Sequence, residues 1–143
     1  MIDTMVFDAL HADPPGREAV LAAIAAGRLR LVTTHVQERQ LADIRDPVRR
    51  KALQRLPREV VPTSAPILAV ARDGRPRMAP SPEARALRIG PRHVADHVIA
   101  EAARAHADLL VTEDRRLAEE ATGAGLETWT VQALTRWARA AAS

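Results

Sequence analysis

The sequence predicts an α/β domain built around a largely parallel sheet of five strands. Short apolar runs alternate along the chain with segments of helical periodicity, the pattern of repeated strand–helix units. Gly and Pro fall between them, where helices start and stop. The 143 residues fit one domain. Hydrophobic residues make up 47% of the chain but aromatics only 2%, so Ala, Leu, Val and Ile must build the core.

The first strand is expected over residues 2–7, the apolar run that opens the chain. Asp13-Pro14-Pro15-Gly16 then breaks the chain ahead of a helix. Val20, Leu21, Ile24 and Ala25 form one apolar stripe on that helix, and Gly27 stops it. A second strand is predicted over 30–33. Thr34 is the expected N-cap of the next helix, with Gln37 completing a capping box. This helix carries Glu38 and is expected to run to about residue 44. Pro47 opens a further helix over 48–56, and Val60-Val61 forms a short third strand.

Residues 62–91 hold six of the ten prolines. Short helices are expected at 67–72 and 83–87, in an excursion that reads as a flap, a dimer arm or a tolerated insertion. Order returns with a helix over 93–107 and a fourth strand over 109–112. A short helix at 115–121 leads through Gly123 and Gly125 into a fifth strand at 127–130. The last helix, 131–142, places Val131, Leu134, Trp137 and Ala138 on one face.

Composition excludes several chemistries. There is no cysteine, hence no disulfide framework, thiolate nucleophile or thiolate metal site. No secretory leader and no apolar run near membrane-spanning length is visible, which predicts a soluble cytoplasmic protein. Net charge is +3, but Lys51 is the only lysine among 21 basic residues. A P-loop needs Gly-Lys-Ser/Thr, and Lys51 sits in Arg49-Arg50-Lys51-Ala52 instead. Phosphatase or phospho-acceptor chemistry lacks both Asp-x-Asp at the first strand and a suitably placed lysine.

Four acids stand out: Asp3 in the opening run, Glu38 after the second strand, Asp96 opening the fourth-strand helix, and Asp114 after the fourth strand. Acids in or at the ends of buried strands are costly unless paired or bound to a cation. Parallel strands bring their carboxyl ends to one edge, where ligands bind in open α/β sheets. Clustered carboxylates repel by roughly 3–4 kcal/mol per pair at ~4–6 Å and an effective dielectric of about 20. A hard divalent cation removes that repulsion and can polarise a phosphoryl oxygen or activate water.

Ile2-Asp3-Thr4-Met5-Val6, Thr33-Thr34-His35-Val36-Gln37-Glu38, Asp96-His97-Val98-Ile99-Ala100 and Val111-Thr112-Glu113-Asp114 together resemble a PIN-domain nuclease, most closely a VapC-type toxin of a bacterial toxin–antitoxin pair. The likeness covers residues 1–60 and 92–135. It implies a three-layer α/β/α fold around the parallel sheet. It also implies an endoribonuclease dependent on Mg2+ or Mn2+, with Asp3, Glu38, Asp96 and Asp114 as the acidic cluster and Thr112 in support. An RNA substrate, an inhibiting antitoxin and a homodimer are further implications. Met5 and Arg116 depart from the family pattern, as does Glu113 where many relatives carry Asn. Arg115 and Arg116 could instead meet RNA phosphate. A non-cutting RNA- or protein-binding module is the rival reading.

Blander readings stand beside these. Either Glu113 or Asp114 is expected to be only a helix N-cap, and Asp114 is taken as the functional one. His93 and His97 have a spacing that can bind zinc, but no Glu lies between them in the His-Glu-x-x-His arrangement. Trp129 and Trp137 read as core or dimer packing ahead of base-stacking platforms. Arg49, Arg50, Lys51 and Arg55 read as a solvated helix face.

Overall fold

The computed structural model describes residues 1–63, 67–70, 76–78 and 91–142. Among these, helices α1 (Thr4–Ala12), α2 (Pro14–Ala25), α3 (His35–Ala42), α4 (Pro47–Gln54), α5 (Pro91–His106), α6 (Arg115–Gly123) and α7 (Val131–Ala142) dominate. Six strands are short: β1 (Val32–Thr34), β2 (Glu59–Val61), β3 (Ile67–Val70), β4 (Pro76–Met78), β5 (Leu109–Val111) and β6 (Glu127–Trp129).

The predicted central five-stranded parallel sheet, and with it the three-layer α/β/α arrangement, is corrected. The strands form three two-stranded sheets: β1–β2 and β5–β6 parallel, β3–β4 antiparallel. The expected first strand is the reason. Only residues 1–3 precede α1, and Ile2 makes one isolated parallel bridge to Val111. Its backbone N–H also donates to the Val32 carbonyl at 3.1 Å, and Asp3 N–H donates to the Val111 carbonyl at 2.9 Å. These residues therefore tie the two parallel pairs to each other without being a strand.

Residues 4–7 are helical because their apolar pattern continues beyond the run. Val6, Phe7 and Leu10 are buried at i, i+1 and i+4, whereas Met5 is 53% exposed. A strand would have alternated inward and outward instead.

Other boundaries follow local chemistry. Asp13 caps α2, accepting from Gly16 N–H at 3.1 Å, with Pro14 and Pro15 in the first turn. Gly27, at φ 69°, leaves α2 in the left-handed region that glycine adopts freely. The Thr34–Gln37 capping box forms as expected. The helix it opens ends at Ala42 rather than near residue 44, and β1 lies two residues beyond the expected start. Asp46 caps α4 through Val48 and Arg49 N–H. The expected helix at 67–72 is replaced by strand β3, paired with β4. Four consecutive apolar residues ending in Val suit a strand's length better than a helix's. The expected helix at 83–87 lies outside the described residues.

Two apolar clusters flank the parallel pairs. Ile2, Val6, Phe7, Leu10, Val20 and Leu134 belong to one, where α2 packs along α7. Val32, Val61, Ile99, Ala103, Leu110 and Leu117 belong to the other, where α5 packs on α6. Neighbours Leu110 and Val111 go to opposite clusters, as the strand period of two requires. No helix among the described residues is long and apolar enough to cross a membrane.

Candidate acidic site

Asp3 is 7% exposed and is the N-cap of α1. Its Oδ1 accepts from Thr4 N–H at 2.6 Å and its Oδ2 from the Thr112 hydroxyl at 3.1 Å. That same hydroxyl accepts from Asp114 N–H at 3.0 Å. Thr112 thus links two acids that are far apart in sequence. Burial raises the Asp3 pKa above the ordinary 3.8; the bonds from Thr4 and Thr112 oppose the rise, and the Asp114 carboxylate adds to it.

Asp114 is half-buried at the start of α6. Its Oδ1 accepts from Arg116 and Leu117 N–H at 2.8 and 3.2 Å. Asp114 is therefore an N-cap, the role expected of only one of the adjacent acids. Glu113 caps elsewhere: its Oε1 accepts from Val131 N–H at 2.7 Å, in the first turn of α7.

Glu38 has different partners. Its Oε1 accepts from Arg58 Nε at 2.6 Å and Thr33 Oγ1 at 2.8 Å, and its Oε2 from Arg58 Nη2 at 2.8 Å. The Arg58 bonds, the largest influence, hold the Glu38 pKa below its usual 4.5. The charges acting on Glu38 are those of Arg58 and His35, while the carboxylate acting on Asp3 is that of Asp114. Asp96 does not open its helix; it lies in the second turn of α5, half-buried and engaged in a polar or electrostatic interaction.

The fold thus joins Asp3 and Asp114 through Thr112 and gives Glu38 a separate ion pair. Among the described residues, no three His, Asp or Glu are assembled as a metal-holding group. The Asp3–Asp114 pair nonetheless suits a hard cation in donor type, because both acids offer carboxylate oxygens.

Two supporting residues carry weak signals in the sequence. Arg58 has only its position just before β2. Gln37 signals only a capping residue. It is fully buried, and its side-chain amide also donates to the Ile2 carbonyl, fixing the chain that delivers Asp3. A polar residue at a buried helix position was the available signal.

The remaining candidates have structural partners. His97 Nδ1 lies 2.8 Å from Glu120 Oε1, joining α5 to α6, and the His93 side chain lies outside the described residues. Trp129 and Trp137 pack with ring centroids 6.3 Å apart at 56°. Arg49 forms a two-bond pair with Asp8 on α1 at 2.8 and 2.6 Å. Arg115 pairs with Glu119 one helical turn on.

Comparison of the chain with family models, curated proteins and solved structures finds no match.

Proposed function

We propose that the chain is a Mg2+- or Mn2+-dependent endoribonuclease, the toxin of a toxin–antitoxin pair, acting in the cytoplasm as a homodimer held in check by an antitoxin protein. The observation that carries this reading is the buried Asp3 carboxylate, bound by the Thr112 hydroxyl that also accepts from the Asp114 backbone N–H, and lying in the field of the Asp114 carboxylate. A buried anion beside a second anion is unfavourable by itself and becomes favourable with a cation between them.

Asp3 and Asp114 would hold the cation, and Asp96, which is not assembled with them here, would join only on rearrangement. Glu38 would join only on release from Arg58. When bound, the cation lowers the pKa of a water and polarises a phosphoryl oxygen. Thr112 holds the Asp3 carboxylate in one orientation. Gln37 fixes the backbone beneath it. Burial raises the Asp3 pKa, so a bound cation would favour its ionised form.

The rival is a binding module that holds RNA or protein without cutting. One observation favours it: Arg58 and Thr33 already occupy both Glu38 oxygens.

Incubating the protein with total cellular RNA, with Mn2+ or with EDTA, separates the readings. Discrete new RNA ends that require both metal and Asp3, and that vanish in Asp96→Asn, support the nuclease. Intact RNA together with no Mn2+-induced rise in Tm supports the binding module.

A further inference from the structure

A cavity of about 300 Å³ lies at the end of the parallel strands away from the acids. Residues 28–32, entering β1, and 106–109, entering β5, line it, whereas Thr112 and Asp114 follow β5. Trp129 and Trp137 form an aromatic wall, with Leu29 and Leu134 beside them. The whole chain holds only three aromatic residues, and both tryptophans face this one space. Ligand pockets run from roughly 300 to 1,000 Å³, so there is room for one ring system with a substituent.

The rim is cationic. Arg28 and Arg30 both line the cavity. Arg30 is held by a single contact to Glu59 at 3.4 Å, and both side chains are more than half exposed. Exposed pairs of this kind are weak and exchange readily for a better anion. Arg28 donates to the Ala141 carbonyl, a neutral acceptor. One carboxylate, Asp108, stands on the lining against the two arginines.

We propose that this cavity binds a nucleotide, its base against Trp129 and Trp137 and its phosphate on Arg28 and Arg30. Indole faces accept any base by stacking, and guanidinium groups match phosphate geometry. Neither half alone accounts for aromatic walls beneath an arginine rim. The site is independent of the acidic pair and stands whether or not that pair cleaves RNA. The same chemistry is offered by a free mononucleotide and by a nucleotide within RNA.

The two tryptophans, in a chain without tyrosine, make intrinsic fluorescence a reporter of this cavity. The full chain, kept in EDTA so that no metal-dependent cleavage occurs, is titrated with 5′-AMP, adenosine, ribose 5-phosphate and a short oligoadenylate. Saturable quenching by AMP is expected, with adenosine and ribose 5-phosphate each at least about tenfold weaker. Arg28→Gln with Arg30→Gln should weaken AMP about tenfold and leave adenosine unchanged. Trp137→Phe, which keeps an aromatic ring in the packing, should weaken AMP and adenosine alike. Tighter binding of the oligonucleotide than of AMP supports the proposal with RNA as the source, and the reverse supports it with free nucleotide. No saturable change up to about 10 mM AMP, equal binding of AMP and adenosine, or an arginine variant that binds AMP as the parent does would each overturn it.

Discussion

Arg58 grips Glu38 through both carboxylate oxygens, Nε to Oε1 at 2.6 Å and Nη2 to Oε2 at 2.8 Å. The arginine is itself anchored. Its Nη1 donates to the Gln54 and Leu56 carbonyls at 2.9 Å, and its guanidinium sits 5.2 Å from the Phe7 ring centroid. A side chain with so many fixed contacts is a positioned cation, not a mobile surface charge. It locks α3 to the chain entering β2.

Replacing Arg58 with Gln should therefore destabilise the fold by about 1–3 kcal/mol near neutral pH, since Glu38 loses its partner. The sign with pH follows from the lowered Glu38 pKa. The pair's stability is present above the unfolded value of 4.5 and is lost as pH falls through the folded value. Urea unfolding of both proteins should show a gap in midpoint at neutral pH that narrows in acid well below 4.5. A gap independent of pH would mean that Arg58 acts through Phe7 and the carbonyls alone.

Asp3 titrates in the opposite sense. Its folded pKa is raised above 3.8, mainly by burial, so its favourable contribution is full below 3.8 and is lost as pH rises through the folded value. Above the folded value the buried charge is a liability in the metal-free protein. Asp3→Asn removes the charge, but its Nδ2 cannot accept from the Thr112 hydroxyl, so its Tm relative to the parent should rise as pH rises through the folded Asp3 value. The same variant should lose any Mn2+-induced rise in Tm. Calorimetry of both proteins with and without Mn2+ checks the two effects together.

Thr112 offers a cleaner separation of site from core. Thr112→Val removes the hydroxyl that donates to Asp3 and accepts from Asp114 N–H, at nearly constant volume. Two buried or half-buried polar groups lose a partner, at a cost of about 1–3 kcal/mol. Thr112→Ser keeps the hydroxyl and should retain most of that stability. Denaturant midpoints that fall equally in both variants would assign the loss to the methyl group instead.

Gly16 is required by contact and not by backbone angle. A Cβ there would overlap the Asp13 carboxylate and come within 2.8 Å of the Thr135 methyl carbon. Gly16→Ala must therefore displace either the cap of α2 or its packing on α7. A loss of about 2 kcal/mol or more is expected from a broken cap plus overpacking. Far-UV circular dichroism during thermal unfolding, with Gly123→Ala as a control at an open position, measures it.

Much of the helical framework was legible because its signals are local. Thr34 and Gln37, three residues apart, form the capping box. Asp13-Pro14-Pro15 starts α2, Pro47 starts α4, and α7 spans the expected 131–142. The opening run misled because a few apolar residues satisfy both strand and helix patterns. Leu10, outside the run, decides for helix by joining the stripe of Val6 and Phe7. Losing that strand removed the expected five-stranded sheet.

The sequence by itself determined the caps, the turn glycines and the acidic residues available to a site, because each depends on groups within a few residues. Tertiary structure decided which acids share partners. Asp3 meets Thr112 across 109 positions, and Glu38 meets Arg58 across 20. Those pairings depend on which strands lie side by side and where helices pack. Burial and an adjacent anion then leave Asp3 poorly compensated, while a half-buried guanidinium neutralises Glu38. Residue type alone carries neither outcome, because a carboxylate's charge state and availability are set by the groups that folding brings within a few ångströms of it.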